Sequence, residues 1–151
     1  MAQAAVTFDL KEIGGLAKLL NDSKLTASER RGLLEDAGDI IQRQTENRFD
    51  EQRDPEGITW KELAEKTVEY YRRKFPGRQT RPVLIGKGNL LHHMTFQLNG
   101  SDSVIVGSPD VYAAVHQFGY KGIPARPYLG MVPDNIEELE RLVQTFIAER
   151  L

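Results

Sequence analysis

The sequence predicts an α+β domain in which long amphipathic helices pack on a small antiparallel sheet. Three observations carry this. Apolar stripes at helical spacing run through residues 27–49 and 134–149. Between them, residues 94–98 and 103–107 flank Asn99-Gly100 with apolar–polar alternation, the pattern of a hairpin over 94–107. A chain of 151 residues without repeats or low-complexity blocks is the size of one domain, so 1–151 reads as a single unit.

Taken in order, residues 9–20 read as a short helix, with Leu10, Ile13, Ala17 and Leu20 on one face. Each glycine of Gly14-Gly15 weakens it by up to ~1 kcal/mol relative to alanine. Thr26 and Glu29 have capping-box spacing and open a helix over 27–49. Its core stripe is Leu33, Leu34, Ala37, Ile40, Ile41 and Phe49. Asp54-Pro55-Glu56-Gly57 is a turn, since proline presets φ and glycine accepts a left-handed position. Thr59 and Glu62 make a second capping-box pattern, so a helix is expected over 60–74, with Leu63, Thr67 and Tyr70 or Tyr71 on the face of Trp60. Residues 75–81 read as a flexible polar linker, broken by Pro76-Gly77. Residues 82–85 are a short strand candidate and 88–91 a turn. Residues 110–118 are helix or strand; Ala113-Ala114 and an N-capping Asp110 favour helix. Arg126 then lies between Pro124 and Pro127. Pro133-Asp134 opens the last helix, with Ile136, Leu139, Leu142 or Val143, Phe146 and Ile147 facing inward.

Composition narrows the function. There is no cysteine, which removes disulfides and thiol catalysis. Net charge is −2, which gives no whole-chain attraction to nucleic acid. The first ten residues have no basic region, so no signal peptide is expected, and no apolar run approaches the ~20 residues of a membrane helix. Charge is uneven, however. Residues 59–93 hold eight Lys/Arg against three Glu, and residues 133–151 hold five acids against two Arg. Two solvated helix faces account for this, and so do surfaces by which copies pair.

Candidate chemistry is sparse. His92, His93 and His116 have no metal-ligand spacing, and the adjacent pair points its rings apart. Neither a nucleophile elbow nor a phosphate loop is present. A small hydrolase using His116 would need partners that the neighbouring sequence does not offer. Arg72, Arg73 and Lys74, with Arg78 and Arg81 beyond them, form a basic contact face that would suit phosphates, with Tyr70 and Tyr71 alongside for base stacking. A solvated helix end explains the same residues. Arg126 is held rigidly and suits a bidentate carboxylate bond, either tying down a loop or gripping a neighbour.

Three islands carry a family likeness. The first is Asp54-Pro-Glu-Gly-Ile-Thr-Trp60 through Thr67. The second, looser one is Leu84, Gly88-Asn-Leu90 and Val104-Ile-Val-Gly107. The third is Tyr112-Ala-Ala-Val-His116-Gln-Phe-Gly119 with Ile123-Pro-Ala-Arg-Pro-Tyr-Leu-Gly130. In this order the chain resembles the phage virion morphogenesis, or tail completion, family of Mu-like tailed phages and prophages. The resemblance implies a non-enzymatic virion part without cofactor or metal, acting in tail completion or head–tail joining at the neck. By analogy with small neck proteins it implies a ring of copies, six being the number the analogy suggests. Other neck or tail proteins would be its partners, with the host cytoplasm the place of assembly and the virion the destination. Pro55, Gly57, Trp60, His116, Phe118, Gly119, Pro124, Arg126 and Pro127 are then expected to be scaffold or interface residues. A nucleic-acid-contacting module using the 59–93 face is the alternative.

Overall fold

The computed structural model describes residues 4–9, 24–77, 83–84 and 89–150. Strand β1 (Ala4–Asp9) is followed by helix α1 (Ala27–Glu51), α2 (Glu65–Lys74) and the single turn α3 (Asn89–His92). Strands β2 (Thr95–Asn99) and β3 (Ser103–Ser108) come next, then α4 (Ala113–Phe118) and α5 (Pro133–Arg150). The sheet order is β1-β3-β2, antiparallel throughout, so β3 is central and β2 an edge. The α+β reading and the hairpin stand. Gly100, at φ 68°, supplies the left-handed residue of the hairpin loop.

One face of the sheet makes the main core. Period-two alternation sends Val104 and Val106 to the same side, opposite Leu98 and Phe96 of β2. Leu33, Leu34, Ala37 and Ile41 of α1 cover that face, and Leu139 and Val143 of α5 close it. Gly38 lets α1 approach the sheet, because a Cβ there would lie 2.4 Å from the Phe96 ring. A second cluster, at the C-terminal end of α1, gathers Phe49, Trp60, Leu90, Met94, Ala113, Tyr128 and Leu129.

The helix over 27–49 is present and extends to Glu51, with the Thr26 hydroxyl accepting from Glu29 N at 3.2 Å. Several expectations change. The helix expected over 60–74 begins only at Glu65, and the Thr59–Glu62 box does not form. Thr59 instead pairs with Arg53 across the Asp54–Gly57 turn, and Trp60 N donates to Gln52 O. Tertiary demands on residues 60–62, described below, override their helical pattern. Residues 113–118 are helical, but Asp110 is not the cap; its carboxylate faces His93 Nδ1 at 2.8 Å. The 88–91 turn becomes α3 from Asn89 onward. Val83 and Leu84 form a turn rather than a strand, with Val83 N and O both bonded to the Gln52 amide. The helix expected over 9–20 starts badly, since Asp9 ends a strand, and residues 10–20 lie outside the described residues. So do 78–81 of the expected linker, with Arg78 and Arg81; the strand β1 was not anticipated.

Candidate functional site

The third island and the first interlock. Residues 124–130 run without regular secondary structure beside the C-terminal end of α1, and side chains from three directions hold their backbone. Prolines at 124 and 127 favour extended backbone, and an extended segment that is buried must find partners for its amides and carbonyls. From α1, Arg48 donates to Tyr128 O at 2.7 Å, Gly130 O at 3.0 Å and Asn135 Oδ1 at 2.9 Å. From the first island, Trp60 Nε1 donates to Pro127 O at 2.7 Å. From α4, Gln117 Oε1 accepts from Tyr128 N and Leu129 N, both at 3.0 Å, while its Nε2 donates to Leu129 O at 3.0 Å. The Tyr128 hydroxyl donates to Ala113 O at 2.8 Å, and burial pushes its pKa well above the ordinary phenol value.

Packing follows the same lines. Phe49 lies between Trp60 (ring centroids 5.5 Å, edge-on) and Tyr128 (5.4 Å). Pro55 abuts Gly130 so closely that a Cβ on the glycine would sit 2.8 Å from Pro55 Cγ. The Asp54 carboxylate shapes the turn beneath, accepting from Glu56 N and Ile58 N at 2.9 Å each, with Gly57 at φ 86°.

Arg126 meets no carboxylate among the described residues. Its Nε donates to Lys61 O at 2.7 Å and its Nη2 to Glu62 O at 2.8 Å. Two carbonyls at successive residues match the planar guanidinium fork as a carboxylate would. They also keep residues 61–62 out of α2, which is why the helix starts late. The Arg126 amide in turn donates to His116 O at 2.8 Å. His116 Nδ1 is buried without a hydrogen-bond partner. Its pKa is lowered, first by burial and then by the neighbouring Arg126 charge. An imidazole with no orienting acid and a cation beside it is a poor general base. Gly119, at φ 79°, lets the chain turn back so that a Cβ there would meet Ala125 N and Ile123 O at 3.0 Å.

The other named residues lie at the rim. Phe118 is 73% exposed, and Val111, Tyr112, Tyr120 and Ile123 are exposed with it. A bridge between Tyr120 and Ile123 folds the last two together. Arg72, Arg73 and Lys74 are exposed on the last turn of α2. Arg48 and Gln52 were missed in the sequence, where each is one polar residue among many at the end of a helix. No group of three or more His, Asp or Glu able to hold a metal occurs among the described residues.

The logic of this region is mechanical. Its arginines, tryptophan and glutamine are spent on backbone carbonyls and amides, which defines a scaffold that presents a rigid surface. The chain belongs to the phage virion morphogenesis family, whose model matches residues 10–148. It is 24% identical over 120 residues to the "Mu-like prophage FluMu G protein 1" of Haemophilus influenzae, covering 79% of this chain and 80% of that protein. It is 32% identical over 104 residues to the "Putative capsid assembly protein G" of Escherichia phage Mu, covering 63% and 65%. No solved structure matches the chain. It is therefore a structural morphogenesis protein of the phage or prophage type.

Proposed function

We propose that this chain acts in tail completion or head–tail joining at the virion neck, as a ring of identical copies. The observation that carries this is the apolar rim of the scaffold. Five large apolar side chains, Val111, Tyr112, Phe118, Tyr120 and Ile123, are exposed within thirteen residues. Clusters of this kind mark protein-binding surfaces, and here the stapled segment 124–130 holds the cluster still. We assign the rim to contacts with other neck or tail proteins. The Mu relative's name concerns capsid assembly, and the neck is where capsid and tail assembly meet. Assembly would take place in the host bacterial cytoplasm, and the particle would be the destination. The reading needs no cofactor, metal, membrane or catalytic step.

Mass of the purified protein over a wide concentration range, with its detection in purified particles and tails, tests this. A closed oligomer, or a fixed copy number in the particle, supports it. A strict monomer that is absent from particles and tails sinks it. The exposed cations Arg72, Arg73 and Lys74 favour a second reading, contact with DNA as it passes the neck. Binding that falls steeply with salt would support that reading, and absent or salt-insensitive binding would remove it.

A further inference from the structure

Helix α2 has no buried residue. Ten residues form a marginal helix in water, so such a segment gains most of its stability from packing. Lys66, Glu69, Tyr70 and Arg73 lie on one face at helical spacing and are all exposed. Tyr70 is 54% exposed, with its hydroxyl accepting from Lys74 Nζ at 3.1 Å. Tyrosine and arginine together are the composition of an interface centre.

A groove of about 870 Å³ lies between the N-terminal half of α1 and the edge strand β2. Leu34, Phe96 and Leu98 give it an apolar floor, and Glu35, Asp36 and Asp39 an acidic wall. Arg31 is the cation there, and it is bridged to Glu35 at 3.2 Å. Asp36 and Asp39 are exposed and form no ion pair among the described residues. The groove and α2 are thus complementary in charge and in apolar content. They sit at opposite ends of α1. Phe49, against which Trp60 packs just ahead of α2, lies ten residues beyond Asp39, roughly 15 Å along the helix. The occupant that fits is the α2 of another copy.

We infer that α2 of one copy docks in the α1–β2 groove of the next, with Tyr70 on the Leu34–Phe96–Leu98 floor and Arg73 and Lys74 facing Asp36 and Asp39. Two different patches meeting make a heterologous contact, which closes into a ring when the rotation permits. The inference rests on the ring reading above and supplies its junction.

Charge reversal in the full-length protein tests it, read as mass in solution and as incorporation into particles. Asp36→Lys with Asp39→Lys, and separately Arg73→Glu with Lys74→Glu, should each weaken association by about tenfold or more, through like charges at the junction. The chain carrying all four changes should regain assembly, because its swapped surfaces again match. Unchanged thermal melting shows that the variants fold. If both reversals assemble like the wild type, the junction lies elsewhere and the ring reading survives. If the wild type neither oligomerises nor enters particles, the ring reading fails and takes the junction with it. If the α2 reversal instead abolishes salt-steep binding to DNA and leaves the mass unchanged, α2 is a nucleic-acid face and the inference is overturned.

Discussion

Replacing Arg48 with methionine keeps a long apolar stem and removes the guanidinium donors that reach residues 128–135. Three hydrogen bonds disappear, to Tyr128 O, Gly130 O and Asn135 Oδ1. The asparagine still accepts from Val132 N at 3.1 Å, so the loss falls on the two carbonyls. Leaving a buried acceptor unpaired costs ~1–3 kcal/mol. Tyr128 is fully buried and takes the upper part of that range, while Gly130 is half-buried and takes the lower. Methionine returns something, because the guanidinium of a buried residue no longer has to be desolvated. The net is a loss of about 3 kcal/mol. With a urea slope of ~2 kcal/mol/M for a domain of this size, the midpoint should fall by roughly 1.5 M at unchanged slope. Arg48→Lys should fall about halfway, since a point charge serves one carbonyl where the fork serves two. A midpoint shift below ~0.3 M for the methionine variant would show that Trp60 and Gln117 hold the segment without Arg48, and the reasoning would fail.

Trp60→Phe should cost about 1–3 kcal/mol in thermal or urea melts, through the orphaned Pro127 carbonyl; a neutral result would mean that carbonyl reaches water. Gly119→Ala should cost more than Gly57→Ala. Both have positive φ, but only at Gly119 does a Cβ meet backbone, and ~1 kcal/mol is expected at Gly57 against ~2–3 at Gly119, by the same melts. His116 introduces a pH dependence. Its pKa is lower folded than unfolded, so the unfolded chain binds the proton first as pH falls. Stability should be full above the unfolded value of ~6.5 and decline below it until the folded imidazole also protonates. His116→Gln should remove that part of the slope, seen by comparing melts at pH 7 and pH 5.

The parts of this molecule that repeat a local pattern were legible in its sequence. The α1 stripe, the hairpin about Asn99-Gly100 and the last helix each bury one face at a fixed period, and a period is visible in one dimension. Arg126 shows where this stops. Its proline setting announced a rigid arginine able to tie a loop down, but its acceptors are carbonyls of Lys61 and Glu62, more than sixty residues away. A backbone acceptor has no signature in residue type, so a carboxylate was the natural expectation. The late start of α2 has the same origin, because Thr59 and Glu62 satisfy capping-box spacing locally while the backbone of residues 60–62 is bonded to distant groups.

By itself, then, the sequence determined the fold class and the turn at Asp54–Gly57, and it carried a likeness to the phage virion morphogenesis family. The first two follow from nearest-neighbour sterics, periodicity and residue types at short spacing. Only the tertiary structure decided that β1 joins the sheet, that Arg48, Trp60 and Gln117 converge on residues 127–130, and that no residue of α2 is fully buried. Each depends on which distant backbone groups lose their water on folding and must be paired within the chain.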